Sequence, residues 1–419
     1  STCFSPITKG GEVKQDIIAL WRTPNYRRLW VARFISNLGN GMAPTALAFS
    51  IFAMKGGDAN ALSAILTAGM IPVVVMLPFG GVFSDRMGRA RVISIMDLLL
   101  FPVLILQAYL FASDQATVLL IACIQVVVGV LNAFWWPAFT GLPADLVGDD
   151  KLQTANSYIS LASNAAYIFG AAAGGWLVAT FSGAVAITVD AFTFLIAGYL
   201  VWALRHTSSK STSETSVIEE LAHGWNVFWS YKWVVIVVAC FSMIVMALRA
   251  SEGVLGPLIA KDFYDGATSW ASVTGSEGVG LLIGALVATK WRPKHPIAMG
   301  MVVTFPAAIF ILSLAFTAPI FIVMAFALLW GIGIELMMVW WITALQTHIP
   351  KDAIGRVSAY DAFGSLSFGP IGTGLAGPFA IAFGVKPVLF GCAGIVVTMC
   401  CIALMSREVR QLTAEKASA

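Results

Sequence analysis

The chain has 419 residues, of which 58% are hydrophobic and only 11% are charged, and its mean hydropathy is +0.84. A water-soluble domain could not bury so much apolar surface, so the composition excludes a soluble enzyme. Repeated apolar runs have the length of about 20 residues that a helix needs to cross a bilayer. The net charge of +3 is too small to indicate nucleic-acid binding. We therefore expect an integral membrane protein.

Twelve apolar runs follow one another along the chain. The predicted spans are 29–52, 62–83, 92–112, 116–139, 152–181, 184–204, 233–260, 270–289, 296–317, 320–347, 357–383 and 387–405. Arms are expected at 1–28 and 406–419. The polar segment 205–232, whose second half is amphipathic, predicts a cytoplasmic linker between two six-span halves, 29–204 and 233–405. The sequence thus predicts an all-α integral membrane fold of twelve transmembrane helices in two pseudo-symmetric six-helix halves.

A weak internal repeat supports this division. A shift of 207 residues aligns Pro143 with Pro350, Gly148 with Gly355, Ala155 with Ala362 and Gly170 with Gly377. These matches surround the polar segments that follow the fourth and tenth spans. Parallel six-helix repeats are a known transporter design, in which the binding site lies near the membrane midplane between the repeats.

The distribution of lysine and arginine predicts the orientation. If both termini are cytoplasmic, 20 of the 25 basic residues lie in cytoplasmic segments. Only Lys55, Lys261 and Lys386 then lie outside, and Arg33 and Arg249 lie within spans. Cytoplasmic loops of membrane proteins carry an excess of positive charge. We therefore expect a multi-pass protein of the plasma membrane with both termini inside the cell.

A charged segment between the second and third spans is the most distinctive motif. It reads GVFSDRMGRAR over residues 81–91 and places three arginines and one aspartate between two apolar runs. These charges cannot lie in hydrocarbon, and their sign indicates the cytoplasmic surface. Its two glycines supply the backbone freedom that a tight turn requires.

The spacing G-x-x-x-D-R-x-G-R-x-R resembles the signature loop between helices 2 and 3 of the major facilitator superfamily. Three further segments are similar to its actinobacterial-type exporters, the branch with enterobactin and macrolide efflux carriers: RFISNLGN (33–40), LPADLVGDDKLQTAN (142–156) and HIPKDAIGRVSAYDAFGS (348–365). The resemblance implies the major facilitator fold and a cytoplasmic gate in which the loop aspartate meets the start of helix 11. The residues that it implies for gating are Gly81, Asp85, Arg86, Gly88, Arg89 and Arg91.

Two positions depart from the pattern of drug/proton antiporters. Those carriers usually have an arginine in helix 4, four residues before a glycine, where this chain has Gln125 before Gly129. Their helix 5 usually reads Gly-Pro-x-x-Gly-Gly, whereas this chain keeps only the glycines. The first departure weakens the usual assignment of proton coupling. The glycines still predict close helix packing, at Gly170, Gly174 and Gly175.

Ionisable groups within membrane spans are costly and usually functional. All four histidines fall in predicted cytoplasmic segments, so proton coupling is expected to use carboxylates. The candidates are Glu335, Glu252, Glu277 and Asp190. Glu335 is the most central of them within its span. Each could instead be a structural group, and Glu252 could pair with Arg249, which lies three residues before it on the same helical face.

Amide, aromatic and basic residues in the spans are candidates for lining a substrate cavity. They are Asn40, Gln125, Asn132, Trp136, Arg249 and Trp340. Such a surface would suit a bulky, partly apolar ligand. The tryptophans have a competing explanation, because several lie near the cytoplasmic end of a span, where an aromatic belt is common.

The sequence contains no nucleotide-binding loop and no His/Cys cluster, so we expect no cofactor, no metal and no enzymatic activity. The favoured function is proton-driven export of small amphipathic molecules such as a drug, siderophore or secondary metabolite. The alternatives are an importer or uncoupled facilitator, a lipid flippase or scramblase, and a membrane sensor. We expect a monomer in the lipid bilayer. Its expected partners are protons and a small-molecule substrate, and we expect no binding of nucleic acid.

Overall fold

The structure is a computed structural model that describes residues 19–147, 149–205, 225, 228–349 and 354–413. Over these ranges the chain is helical and contains no strand. The long helices are α1 (Pro24–Ala53), α2 (Ala59–Met87), α3 (Arg89–Ala112), α4 (Val118–Leu146), α5 (Asp149–Thr180), α6 (Gly183–Trp202), α7 (Lys232–Phe263), α8 (Ala267–Lys290), α9 (Pro296–Ala315), α10 (Ile320–His348), α11 (Ile354–Ser367 and Gly369–Phe383) and α12 (Val385–Met405). Most of the predicted arm 1–28 and linker 205–232, and part of the tail, lie outside the described residues.

Eleven of these helices are long and apolar enough to cross a membrane. The exception is α1, which has 30 residues but carries Arg27, Arg28, Asn37 and Asn40. These polar residues lower its hydropathy without removing it from the bundle, because α1 packs along both α5 and α6. The all-α membrane fold predicted from the sequence is confirmed, with α1 recognised by its packing.

Helix boundaries follow local capping chemistry. At the starts of α2, α4 and α6, the side chains of Asp58, Thr117 and Ser182 accept hydrogen bonds from backbone N–H groups three residues later. Single glycines with positive φ separate two helix pairs: Gly88 (φ 90°) between α2 and α3, and Gly384 (φ 89°) between α11 and α12. Each of these helix pairs is therefore connected by a single non-helical residue.

Backbone contacts at glycines recur in both halves. A Cβ on Gly129 of α4 would lie 2.1 Å from the Gly69 carbonyl oxygen of α2. In the other half, a Cβ on Gly331 of α10 would lie 2.2 Å from the Glu277 carbonyl oxygen of α8. Only glycine permits backbones to approach this closely. The two halves therefore use the same device at equivalent helix pairs.

Equivalent glycine contacts in the two halves correct the alignment of the internal repeat. A Cβ on Gly170 of α5 would lie 2.1 Å from a carbonyl oxygen of α1, and one on Gly372 of α11 would lie 2.0 Å from a carbonyl oxygen of α7. The offset is therefore 202 residues (372 against 170, and 331 against 129) rather than 207. Gly377, which the shift of 207 paired with Gly170, contacts Ala59 of α2 instead. The connecting segments differ in length between the two halves, so one fixed shift does not align every position.

The apolar core is distributed unevenly along the bundle. We call the end at which α1 begins and α12 ends the terminal end. At the opposite end, one cluster of buried residues joins both halves, from Ile51 and Leu62 in one to Leu255 and Trp270 in the other. Towards the terminal end, the buried residues form separate clusters, one in each half. The halves are thus sealed together at the opposite end.

Candidate functional site

A cavity of about 430 Å³ lies between the halves. Its wall is contributed by α1, α2, α3, α4 and α6 on one side and by α7, α8 and α11 on the other. Much of the wall is aliphatic or aromatic, and a smaller polar set faces the same space. The polar residues are Asn40, Gln107, Gln125, Asn132, Asp190, Arg249, Glu252 and Thr373. Such a mixture suits an organic molecule with few polar groups.

Two glutamines link α4 to α3 in the cavity wall. Gln125 Nε2 donates to Gln107 Oε1 at 3.4 Å, and Gln107 is 1% exposed. Gln125 is the residue that stands where related antiporters usually carry arginine. The amide pair leaves this part of the wall polar and uncharged. Asn132, two turns along α4, bonds its own helix through the Val128 carbonyl oxygen at 3.0 Å.

Asp190 of α6 lines the cavity and is 3% exposed. Thr193 Oγ1 donates to its carbonyl oxygen at 2.7 Å and lies 3.4 Å from Oδ1. The carboxyl group fits because α1 presents no side chain there. A Cβ on Gly39 would lie 2.0 Å from Asp190 Oδ1 and 2.2 Å from Thr193 Oγ1.

The wall on the side of α7 is shaped by a break in its helical geometry. Residues Ser251–Leu255 form a π-helical turn, followed by Pro257 at the start of a regular segment. Proline lacks the N–H that an α-helix would use at this position, and π turns are frequent at functional sites. Arg249 precedes this turn and Glu252 lies within it, and both side chains face the cavity.

Glu252 is held by a tryptophan of α10. Trp330 Nε1 donates to Glu252 Oε1 at 3.0 Å, and Trp330 is 3% exposed. The charges of Arg249, Glu252 and Glu277 interact, and Tyr167 of α5 interacts with all three. This cluster joins α7 and α8 of one half to α5 of the other. A charge that enters or leaves the cavity would therefore affect both halves.

Four predicted residues are not among the described cavity lining. Trp136 is 60% exposed, because it lies on the outer face of α4 next to the buried Trp135. Trp340 is buried and donates to the Trp291 carbonyl oxygen at 3.3 Å, beside a different cavity at the terminal end. Glu335 packs beside Gly284 of α8. Glu277 interacts electrostatically with Arg249 and Glu252.

The signature segment forms the turn between α2 and α3. Arg89 Nη1 donates to Asp145 Oδ1 at 2.9 Å, which joins the start of α3 to the end of α4. Gly88 is buried in the turn, and Arg91 is exposed. The side chains at positions 81, 85 and 86 (Gly81, Asp85 and Arg86) and residues 350–353 before α11 lie outside the described part, so the contact predicted between Asp85 and helix 11 is not described.

The glycines of α5 lie at two helix contacts. A Cβ on Gly174 would lie 2.7 Å from Met42 Cα of α1, next to the contact of Gly170 with the same helix. A Cβ on Gly175 would lie 2.3 Å from Ala271 Cβ of α8. Gly170 and Gly174 therefore pack within the amino-terminal half, and Gly175 packs between the halves.

Several polar residues near the site were not predicted. Thr67 Oγ1 and Thr373 Oγ1 are 3.0 Å apart and join α2 to α11 across the halves. Gln107 and Tyr167 are neutral polar residues, and nothing in the sequence distinguishes them from other polar residues within spans. Asp97 is a single carboxylate within the apolar α3. The rule that ionisable residues in spans are functional candidates should have found it.

The described residues contain no cluster of three or more histidine, cysteine or acidic side chains that could hold a metal. A helical membrane bundle of two similar halves, sealed at one end around a mixed polar and apolar cavity, has the architecture of a transporter.

The chain belongs to the major facilitator superfamily, whose family model matches residues 29–373. It is 26% identical over 403 residues to the multidrug efflux pump Tap of Mycolicibacterium fortuitum, which covers 91% of this chain and 95% of Tap. It is 23% identical over 410 residues to macrolide efflux protein A of Streptococcus pyogenes, which covers 94% and 98%. A crystal structure of the nucleoside transporter NupG has the same fold, with a TM-score of 0.73, 13% identity, and coverage of 91% of this chain and 98% of NupG. The family and these relatives are transporters rather than enzymes, so this chain is a multi-pass membrane transporter of small molecules.

Proposed function

We propose that this protein exports small amphipathic molecules by alternating access, in exchange for protons. The observation that carries the proposal is the cavity between the halves, which combines an apolar wall with two acidic side chains, Asp190 and Glu252. An apolar wall favours the hydrophobic body of a ligand, and carboxylates favour a basic group on it. Relatives named as multidrug and macrolide efflux proteins support the same substrate class.

The sealed opposite end supports alternating access. Packing between Gly175 and Ala271, and the hydrogen bond from the Gly377 N–H to Ser63 Oγ at 2.7 Å, join the halves there. Substrate must then reach the cavity from the terminal end in this conformation. Rocking of the halves would break these contacts and open the other side.

The orientation that we propose places both termini, the linker and the signature turn in the cytoplasm of a plasma-membrane monomer. The excess of lysine and arginine at the terminal end supports this orientation. In it, the structure corresponds to the state that takes up substrate from the cytoplasm. Arg89, which the resemblance of the signature segment implies for gating, then belongs to the cytoplasmic gate together with its partner Asp145.

Proton coupling requires a group that is charged in one state and neutral in the other. Among the predicted carboxylates, Asp190 and Glu252 face the cavity, Glu277 interacts with Glu252, and Glu335 lies apart from the described wall. We therefore rank Glu252 and Asp190 above Glu335 for substrate and proton exchange.

An uncoupled facilitator is the second candidate. The observation that favours it is the neutral pair of Gln125 and Gln107 at the position where related antiporters usually place arginine. A facilitator would equilibrate substrate without responding to a proton gradient, so one experiment separates the two candidates.

Transport assays in proteoliposomes test the proposal. The purified protein is reconstituted, loaded with either ethidium or radiolabelled erythromycin, and measured with and without an imposed pH gradient. We expect movement of both probes against their gradients only when the pH gradient is present. Transport that equilibrates the probes and ignores the pH gradient would establish the facilitator. Absence of transport of either probe, with lipid translocation in the same vesicles, would establish a flippase.

A further inference from the structure

A buried pair of opposite charges lies inside the amino-terminal half, apart from the described cavity lining. Arg33 of α1 is 8% exposed and Asp97 of α3 is 2% exposed. Their charges interact. Their hydrogen bonding is nevertheless incomplete, because Arg33 Nε, Arg33 Nη1 and Asp97 Oδ1 have no hydrogen-bond partner.

Two aromatic rings of α4 hold the guanidinium group. Arg33 Cζ lies 4.6 Å from the ring centroid of Trp135 and 3.9 Å from that of Phe139. A cation over an aromatic face is stabilised by the ring electrons, and more strongly when water is excluded. Trp135 Nε1 interacts with the Asp97 carboxyl group but does not reach full hydrogen-bond geometry. Arg33 thus has two aromatic rings that stabilise its positive charge. The buried negative charge of Asp97 is only partly compensated by its neighbours.

The buried pair of Arg33 and Asp97 contributes little to the stability of the fold. Removing two charges from water has a large free-energy cost, and this cost is recovered only when hydrogen bonds satisfy both groups. Here each group retains an unpartnered polar atom. A proton on Asp97 would neutralise the carboxylate and would also give it a hydrogen to donate, while Arg33 would keep its aromatic partners.

The pair lies one helical turn from the cavity, on the terminal side. Leu100, three residues after Asp97 on α3, and Asn132, three residues before Trp135 on α4, both line the cavity. Three residues of α-helix rise by about 4.5 Å. A proton on Asp97 would therefore lie between the substrate space and the terminal end.

Among the charged residues near Asp97, Arg33 is the one whose charge interacts with it. Asp97 packs on the α6 backbone, where a Cβ on Gly198 would lie 3.1 Å from Asp97 Cβ. Asp190, two turns away on α6, faces the cavity and α1. Arg89, at the start of α3, is engaged by α4. From α4, the group that faces Asp97 is the neutral indole of Trp135. The side chains at the end of α2 lie outside the described part.

We propose that Asp97 carries a proton that the transporter exchanges for substrate, with Arg33 as its positioning charge. The inference rests on the proposed antiport and names the group in the amino-terminal half that serves it. One proton adds to a carboxylate oxygen of Asp97 to give the neutral acid. It leaves to water on the terminal side when substrate occupies the cavity, and the carboxylate then pairs with Arg33. Glu252 and Asp190 face the substrate at the cavity wall, so their charge links substrate binding to the release of this proton.

The test measures proton release when ethidium binds to detergent-purified protein in weakly buffered solution with a pH indicator. We expect the wild type to release protons, and Asp97→Asn to lose the release while it still binds ethidium. The matched control is Asp262→Asn, the same substitution at an exposed position near the opposite end, which should release protons like the wild type. Arg33→Gln should move the pH midpoint of the release to higher pH, because the carboxylate loses its nearby positive charge.

The outcomes separate this inference from the proposed function. A wild type that transports probe but releases no proton overturns both antiport and a proton on Asp97. Normal proton release by folded Asp97→Asn overturns the inference alone and leaves the antiport in place. A purely structural pair would also leave the pH midpoint of Arg33→Gln unchanged.

Further variants keep the inference testable if Asp97→Asn does not fold. The double variant Arg33→Gln/Asp97→Asn removes both charges, so no unpaired charge remains buried. Loss of proton release in the folded double variant supports the inference, and retained release overturns it. Asp97→Glu keeps an ionisable group, and we expect it to restore release with a shifted pH midpoint; an unchanged midpoint counts against Asp97.

Discussion

The Trp330 indole and the Glu252 carboxylate are joined across the carboxy-terminal half by a hydrogen bond of 3.0 Å between Nε1 and Oε1. Trp330 is buried in α10, and Glu252 lies in the π-helical turn of α7 at the cavity wall. The bond fixes a carboxylate that would otherwise be free to turn away from the cavity. It therefore couples the position of α10 to the electrostatics of the binding space.

Replacement of Trp330 by phenylalanine should weaken ethidium binding about tenfold, because a hydrogen bond to a charged group contributes about 1.5 kcal/mol or more. Trp340→Phe is the matched control, since Trp340 is also a buried tryptophan of α10 but bonds a backbone carbonyl away from the cavity. Fluorescence titration of both purified variants checks the prediction. Equal affinities for the two variants would show that Trp330 does not position Glu252.

The contact of Gly39 with Asp190 predicts a large effect from one added methyl group. Gly39→Ala should destabilise the protein by about 1–3 kcal/mol, because the new Cβ would overlap buried polar atoms of α6. Gly275→Ala in α8 is the control, since no atom lies within 4 Å of its added Cβ. Melting temperatures in detergent should fall clearly for the first variant and stay near wild type for the second. Equal melting temperatures would refute the contact.

The bond between Arg89 and Asp145 predicts a defect in gating rather than in binding. Arg89→Ala should slow probe transport several-fold while ethidium affinity stays within about twofold, because the bond lies at the helix ends, far from the cavity. Arg407→Ala, which removes an exposed arginine after the end of α12, should transport normally. The transport rate and the ethidium affinity, measured in parallel for both variants, check the prediction. Loss of binding in folded Arg89→Ala would assign the arginine to the substrate site.

A comparison of two glutamates tests the ranking of the carboxylates. Glu252→Gln should retain downhill exchange and lose export driven by the pH gradient, since it removes the ionisable group at the cavity wall. Glu335→Gln should retain both activities, because Glu335 lies outside the described wall. Proteoliposome assays at equal protein density measure the two rates. The reverse pattern would restore Glu335 as the coupling residue.

Site-directed labelling tests the orientation. On a cysteine-free background, a cysteine at position 210 in the linker should react with a membrane-impermeant maleimide only after cell lysis, and one at position 386 should react in intact cells. The positive charge of the terminal end is the physical reason. Reaction at position 210 in intact cells would invert the proposed topology and the direction of transport inferred from it.

Hydropathy predicts eleven of the twelve long helices, because a bilayer imposes length and apolar character on a span. The remaining helix, α1, is recognised by its packing. Polar residues within spans likewise pointed to Asn40, Gln125, Asn132 and Arg249, all of which face the cavity. A polar group in a span has few places to go other than the interior between helices.

The orientation of neighbouring side chains could not be predicted in the same way. Trp135 and Trp136 are equally aromatic and adjacent, and one is 7% exposed while the other is 60% exposed. Successive residues on a helix point about 100° apart, so only the packing of α4 decides which one faces inward. Depth within a span is equally insufficient for Glu335, since a central position does not say whether a residue faces the cavity or a neighbouring helix.

The π-helical turn of α7 also bears on how the chain tolerates changes in length. Such a turn holds one residue more than a regular α-helical turn. Deletion of one residue within 251–255 would restore a continuous α-helix and keep both flanking segments in register, whereas a deletion elsewhere in α7 would rotate everything beyond it by about 100°. The turn therefore marks the place in this span where a single residue could be gained or lost during evolution without disturbing the helices packed around it.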